Sequence, residues 1–410
     1  MADLTSAILE CLAGTLIPNT EVVLAAQQRL YELEQTPGVL NTFLGIVTNV
    51  DGVEARLRLA ASMRVKRIVS DNWGYTVEDG AMLGRRFVNI GAEDREVVRQ
   101  NLIPHALMPE RFKPIINMLL DALFVIVRCD LDTHADHFAA QCLAAVQGAA
   151  QDTVLNAVKC YVTLFKVTVY VIGRVTYPRY NAICNAAYEV LLPMLSSLLQ
   201  APLTEQSGRV AEAALKAVYK SLQMYTPTFM RAESVQDTLV ALLCGFVTQP
   251  VPEEDREEVA DSAENSEGDH YELKTRKWAM RILHALMHAK VPKTLPKNLH
   301  KGYSAWAKSW LARYGSAAAT VAHTVIQQHK TGVVPMSDRC WYYTLQIIDV
   351  SVDNAVLYKN VIKPNLEAIV LDGVMRALAI SRNDLEEWHR DPSGFVVQVR
   401  TWPNDYSTYF

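Results

Sequence analysis

The residues best equipped for chemistry in this chain cluster at Asp132-Thr133-His134-Ala135-Asp136-His137. Two histidines three positions apart share a helix face, and imidazole is a common zinc ligand, so the pair has the spacing of half a metal site. No further ligand cluster accompanies it in the sequence. The alternative is a polar helix start with Asp132 or Thr133 as its N-cap. The carboxylates of Glu386 and Glu387 diverge by about 100° on a helix, so they read as a solvated face and not as an acid–base pair. Phosphate-cradling GxGxxG and GxxxxGK[ST] motifs are absent, as are the hydrolytic HExxH and GxSxG. No enzyme and no cofactor are expected.

The seven cysteines, at 11, 129, 142, 160, 184, 244 and 340, are odd in number, scattered and mostly set in apolar runs. Without CxxC spacing they suggest neither a zinc cage nor a disulfide framework, and they read as buried free thiols of a reducing compartment. A net charge of −4 argues against nucleic acid as a bulk electrostatic partner. The first residues, MADLTSAILECLAG, lack the basic start of a secretory signal. Lys166 and Arg174 interrupt the apolar run 167–172, well short of the roughly 20 residues that span a bilayer. The expectation is an intracellular protein without membrane insertion.

Helical period dominates the elements that must carry any site. Val23, Ala26, Leu30 and Leu33 fall on one helical face, as do Leu215, Val218, Tyr219 and Leu222, and again Trp341, Leu345, Ile348 and Val352. Strand signals are scarce. Segments 167–172 and 395–399 are the two ambiguous stretches, and both read as buried helix or its flank. Breakers recur at Pro18-Asn19, Pro37-Gly38, Asp51-Gly52, Pro109, Pro227 and 332–335, separating segments of roughly 12 to 25 residues. A pair of segments then spans about 40 residues, the period of HEAT-type repeats, and about eight or nine pairs fit the length. The predicted fold is all-α: a right-handed superhelical α-solenoid of HEAT-type helix pairs. The first pair is expected at 5–16 and 19–35 and the second at 38–50 and 52–73. A connection at 75–90 leads into a third pair opening at 92–108. The tryptophans at 73, 278, 306, 310, 341 and 388 are expected to fill the core between repeats. Residues 253–269 carry nine acidic residues against Arg256 alone and read as a solvated insert. A basic stretch, Lys290, Lys293, Lys297, His300 and Lys301, follows.

Several islands bear a family likeness. Val22-Val-Leu-Ala-Ala-Gln-Gln-Arg-Leu30, then Glu54-Ala-Arg-Leu-Arg-Leu-Ala-Ala-Ser-Met-Arg-Val-Lys66 with Trp73, and Ala92-Glu-Asp-Arg-Glu-Val-Val-Arg-Gln-Asn101 follow one another in order. Lys274-Thr-Arg-Lys-Trp-Ala-Met-Arg-Ile-Leu283 and Asp384-Leu-Glu-Glu-Trp-His-Arg-Asp-Pro392 come later. In order and spacing they resemble the karyopherin-β (importin-β) superfamily, and within it the importin-seven/importin-eight group. Lys66-Arg67 stands where that family usually has Lys-Asn. The segment Cys129 to Phe138 lacks the Pro and Trp of the family's third repeat, which marks a divergent member. Family receptors are much longer, so the likeness is to their amino-terminal part.

What the resemblance implies is an import receptor, moving between cytoplasm and nucleus, that releases protein cargo on binding the small GTPase Ran in its GTP form. Residues 1–108 would be the importin-β amino-terminal-like domain, and 109–410 further HEAT repeats with the acidic insert 253–269. The GTPase would sit on the inner helices within 52–73 and 111–128, with Arg58, Arg64, Lys66 and Arg67 as its candidate contacts, since guanidinium forks onto acidic and backbone acceptors. The alternative for these four is plain solvation of a helix surface. Grooves between outer helices would take phenylalanine side chains of nucleoporin phenylalanine-glycine repeats. The candidate acidic contacts Glu253, Glu254, Asp255, Glu257 and Glu258 would steer basic protein cargo, or else form an ordinary solvated loop. A HEAT scaffold or regulatory subunit without GTPase binding is the competing function.

Overall fold

The computed structural model describes residues 2–75, 87–108, 112–170, 175–264, 270–293, 295–378, 385 and 388–393. Among these residues every regular element is helical, with no strand. The first seven helices are α1 (Ala2–Gly14), α2 (Thr20–Leu33), α3 (Val39–Thr48), α4 (Ala55–Asn72), α5 (Ala92–Ala106), α6 (Lys113–Gly148) and α7 (Val154–Tyr170). The next seven are α8 (Tyr177–Leu198), α9 (Glu205–Leu222), α10 (Glu233–Thr248), α11 (Arg256–Glu264), α12 (Tyr271–Met287), α13 (His300–Lys330) and α14 (Asp338–Val352). A stretch of mixed α, 3-10 and π turns then covers 355–377. The ambiguous segment 167–172 is helical through Tyr170; 395–399 and Glu386-Glu387 lie outside the described residues.

The chain divides into two compact units, one of 1–194, 216–232 and 292–297, the other of 195–215, 233–291 and 298–410. In the first, α1 packs on α2, α3 on α4 and α5 on α6, while α3 also touches α1 and α5, and α4 touches α6. Local chemistry sets the helix starts. The Asn19 side chain caps α2 by accepting from the amides of Glu21 (3.0 Å) and Val22 (3.3 Å). Gly38 turns into α3 with φ of 81°, a left-handed conformation that favours glycine. Its free amide is taken by Asp94 of α5 (2.9 Å), whose other carboxylate oxygen accepts from Asn41 (2.9 Å).

Two helices exceed the expected segment length. α6 runs for 36 residues, about 54 Å at 1.5 Å per residue, and α13 for 31. Between Pro114 and Gly148 there is neither glycine nor proline to end a helix. The helix start read at Asp132 or Thr133 is therefore corrected: both lie in the middle of α6. His134 Nδ1 is 2.6 Å from Thr133 Oγ1, and His137 packs its ring on Phe138. Among the described residues no group of three or more His, Cys, Asp or Glu is placed to hold a metal, and no helix is long and apolar enough to cross a membrane.

In the second unit α10 packs on α12 and α13, and α12 on α14. Trp278, Trp310 and Trp341 are buried there, as Trp73 is in the first unit. Trp306 is half-buried and Trp388 is 43% exposed, so core filling holds for four of the six described tryptophans. Arg276 on α12 is wholly buried. Its guanidinium donates to the carbonyls of Val247 (3.0 Å), Gln249 (3.0 Å) and Pro335 (3.3 Å), and Glu272 lies one turn away at 3.9 Å. Burial pushes the Glu272 carboxyl above its ordinary range, with Arg276 opposing it. Nearby, α9 begins at a reciprocal cap in which Ser207 Oγ accepts from the Thr204 amide (2.8 Å) and Thr204 Oγ1 from the Ser207 amide (3.2 Å). One residue on, Gly208 lies against the ring of Tyr271, and its carbonyl accepts from Thr275 Oγ1 (3.3 Å).

The acidic stretch departs from expectation. Residues 253–255 form a 3-10 turn and 256–264 a helix, and Val259 is fully buried against Val251 and Leu273, with Ala263 packed beside them. Arg256 Nε clamps the entry by donating to the Val251 carbonyl (3.1 Å). One well-placed valine outweighs the charge around it, because charges on the opposite face stay hydrated.

The α12 helix also carries a titrating group. His284 stacks near His288 (ring centroids 5.9 Å apart) and Tyr343 (6.3 Å). Burial pushes its imidazole down to about 4, with the positive neighbours His288 and Arg281 adding to the effect. A depressed histidine contributes stability that is complete above its unfolded value of about 6.5 and lost as pH falls toward the folded one. Between pH 7.5 and 5 the protein should lose about 1–2 kcal/mol from this group. Thermal unfolding of His284→Gln over the same range should have a shallower pH slope. An unchanged slope would mean that His284 is solvated and titrates normally.

Candidate interaction surface on α2 and α4

The α4 helix shows three faces at helical spacing. Arg58, Ala61, Ser62, Val65, Ile68, Val69 and Asn72 form its buried stripe. Arg64, Arg67 and Asp71, three and four apart, line the side toward α2. Lys66 points toward α6.

The four candidate contacts differ in exposure. Arg58 is only 4% exposed and its Nε donates to the Val53 carbonyl (3.1 Å), closing the loop ahead of its own helix. Of the four it is the least accessible. The other three reach the surface to different degrees, each already paired within the chain. Arg64 Nη1 is 3.2 Å from Glu34 Oε1, with side chains 13% and 3% exposed. Lys66 Nζ is 2.6 Å from Asp121 on α6, both well exposed. Arg67 Nε is 3.7 Å from Asp71, one turn on. The two exposed pairs, Lys66–Asp121 and Arg67–Asp71, exchange partners at little cost, whereas the buried Arg64–Glu34 pair does not. In the other proposed stretch, Arg128 is exposed on α6 and Arg111 lies outside the described residues.

Tyr31 of α2, which the sequence did not single out, organises this side. The guanidinium carbons of Arg64 and Arg67 lie 5.5 Å and 4.8 Å from its ring centroid, within cation–π range. Hydrogen bonding from Arg67 holds its hydroxyl below the ordinary tyrosine range, against the opposing effect of burial. Burial raises the carboxyl of Glu34, offset by Arg64 and Arg67. Between the helices lies a cavity of about 330 Å³, whose walls include Tyr31, Glu32, Glu34, Arg67, Asp71 and Asn72.

The end of α4 is fixed by residues of the Ala92–Asn101 motif. Trp73 is 1% exposed. Its Nε1 donates to Asp130 of α6 (3.1 Å), which also accepts from Arg99 Nε (2.7 Å). Arg95 Nη1 donates to the Trp73 carbonyl (2.6 Å), and Arg95 and Arg99 lie 5.2 Å and 5.6 Å from the indole. With Asp94 capping α3, this motif ties α3, α4, α5 and α6 together.

The acidic candidates lie at the start of α11. Glu253, Glu254, Glu257 and Glu258 are exposed, whereas Asp255 is half-buried. Residues 265–269 lie outside the described residues. Neither Tyr31 and Glu34 nor the partner acids Asp71, Asp121 and Asp130 stood out in the sequence. They become recognisable only when α4 is aligned beside α2 and α6, because each partner is at least 30 residues from its arginine or lysine except Asp71.

Helix pairs stacked one on the next, α1–α2, α3–α4 and α5–α6, have the architecture of a HEAT-type α-solenoid. Fold comparison agrees: the exportin Cse1 in its cargo-free, cytoplasmic state matches with a TM-score of 0.72 over 96% of this chain and 40% of Cse1, at 10% identity. In sequence, residues 26–107 match the importin-beta N-terminal domain. Importin-8 of Mus musculus is 23% identical over 411 residues, covering 98% of this chain and 38% of that protein. The nonsense-mediated mRNA decay protein 5 of Saccharomyces cerevisiae is 22% identical over 425 residues, covering 99% and 38%. The chain thus spans 38% of the length of these relatives. These matches tie residues 26–107 to the importin-beta N-terminal domain and give the chain the fold of a helical solenoid.

Proposed function

We propose that this chain is the amino-terminal part of a nuclear import receptor, which binds Ran in its GTP form and carries protein cargo from cytoplasm to nucleus. The observation that carries this reading is the match of 26–107 to the importin-beta N-terminal domain, over a stretch that contains the exposed basic residues of α4. Residues 1–108 act as the GTPase-facing domain, and 109–410 continue the repeats. The import direction follows the name of the mouse relative, importin-8.

Lys66 and Arg67 are the contacts for the GTPase, with Arg64 behind them as a support pinned by Glu34. Binding exchanges Asp121 and Asp71 for acidic and backbone acceptors of the partner. Basic cargo is drawn to the exposed carboxylates of Glu253, Glu254, Glu257 and Glu258 by long-range steering, with Asp255 adding charge from a half-buried position. Grooves between outer helices accept nucleoporin phenylalanine side chains. The chemistry asks for no cofactor and no catalysis.

A pull-down with Ran loaded with GTP or GDP tests the reading. The immobilised chain should retain the GTP form and not the GDP form. Lys66→Gln with Arg67→Gln, which removes both charges without placing a carboxylate beside Asp121 or Asp71, should weaken retention by at least about tenfold and cost no more than about 1 kcal/mol of stability. Added GTP-loaded Ran should displace a bound basic cargo. Equal failure of both nucleotide forms would leave the scaffold reading, and GTP-loaded Ran that strengthens cargo capture would reverse the direction of transport.

A further inference from the structure

Between Glu272 and Asp338 the sequence holds eleven lysines and arginines and no acidic residue, in a chain whose net charge is −4. Five basic residues of this stretch, Lys274, Lys277, Arg281, His284 and His288, recur at spacings of three and four along α12 and at its end, so they share one helix face. All five reach the surface. The first four are half-buried and His288 is exposed, with exposed Lys290 just beyond. Aromatic rings hold two of the cations in place. Lys277 Nζ lies 5.0 Å from the Trp278 ring centroid, and the Arg281 guanidinium carbon lies 5.1 Å from that of Trp278 and 5.4 Å from that of Tyr343 on α14. The field along the row is positive. Burial depresses His284, and its charged neighbours His288 and Arg281 push the same way. Burial and Lys290 act likewise on His288, with Asp349 of α14 opposing.

We infer that this face of α12 binds an acidic segment of a partner protein, whose Asp and Glu carboxylates pair along the row. From 274 to 288 the row runs about 21 Å at 1.5 Å per residue, the length of about six residues of extended chain. Each carboxylate meets a charged donor, and because the rings already orient Lys277 and Arg281, little rotamer freedom is lost on binding. A nucleic acid is less suited. Trp278 and Tyr343 are 6% and 9% exposed, so they present their cations to a ligand and no open ring face to a base. Two histidines one turn apart would otherwise suit a metal ion, but a dication would have to approach Arg281 and Lys290.

The row belongs to the second unit, and its test uses neither Ran nor the α4 residues. A capped hexaglutamate peptide is titrated into the chain carrying isotope-labelled histidine, whose ten imidazoles are few enough to assign one by one by NMR. A peptide with glutamine in place of glutamate is the neutral counterpart, and a hexathymidylate is the nucleic-acid arm. Saturable shifts are expected at His284 and His288, with affinity at least about tenfold lower for the neutral peptide and falling as salt rises. His134 and His137 of α6 should not move. Lys277→Gln with Arg281→Gln should weaken binding at least about tenfold. Because those two side chains also pack on rings, His288→Gln with Lys290→Gln at the exposed end is a second variant, read at His284 and expected to weaken binding about threefold or more. Equal binding of the neutral peptide, tighter binding of hexathymidylate than of hexaglutamate, equal shifts at His134 and His137, or binding indifferent to both variants would each overturn the assignment.

Discussion

Replacing Arg276 with methionine will destabilise the second unit by about 3–5 kcal/mol, more than any exposed substitution in the chain. The methionine has about the right length and no charge, so it fills the space but abandons three carbonyls. Those of Val247, Gln249 and Pro335 lose a charged donor in a site without solvent. The Glu272 carboxylate, 4% exposed, then remains as a buried charge without its cation. Arg276→Lys keeps the charge but not the planar fork, and one ammonium cannot span acceptors that lie on two separate loops, so it should also be clearly destabilising. Adding Glu272→Gln to Arg276→Met should recover part of the loss, because it removes the stranded charge. Hydrogen exchange provides the measurement. Amides of Gln249, Val251, Val333, Val334 and Met336 should lose protection in Arg276→Met, while those of the first unit hold theirs. A loss below about 1 kcal/mol would mean that water enters the site and replaces the guanidinium.

Trp73→Ala should have a comparable effect in the first unit, about 3–5 kcal/mol, because it empties the volume of a large buried ring. The indole fills the junction of α4, α5 and α6, held by Asp130 at one edge and flanked by Arg95 and Arg99. Trp73→Phe keeps an aromatic ring but loses the Nε1 donor and the volume of the second ring, and should cost about 1–3 kcal/mol. A chain of two units need not unfold in one step, so a single melting temperature is a poor gauge. Protection of the α4 and α6 amides should fall in Trp73→Ala, with α12 and α14 unaffected. Equal loss in both units would show that the division between them does not hold for stability.

Much of the first two repeats was legible in sequence because punctuation and period agree there. Pro18-Asn19 and Pro37-Gly38 bracket α2, and Asn19 makes the cap its residue type suggests. Where punctuation is missing, reading by breakers fails, as it does along α6, whose polar stretch at 132–137 looks like a boundary but continues the helix. Composition misled at 253–264, since charge was counted without asking which face Val259 occupied. The burial of Arg58 was within reach: it shares the 58, 61, 65, 68 face with Ala61, Val65 and Ile68, and spacing outweighs the residue's ordinary preference for water. The partners of Arg64 and Lys66 were not, since no local rule links Glu34 to position 64 or Asp121 to position 66. Those pairings exist only once helices are laid side by side.

Gly208 illustrates a different kind of information. Glycine is a poor helix former, weaker than alanine by about 1 kcal/mol, yet it occupies the first turns of α9. A methyl group there would overlap the Tyr271 ring. The ring cannot simply swing aside, because its hydroxyl donates to the Leu203 carbonyl (3.2 Å). The two positions, 63 apart in the chain, therefore form one unit of evolutionary change. A lineage that enlarges residue 208 must shrink residue 271 in step, so among descendants of this fold the pair should vary together or not at all.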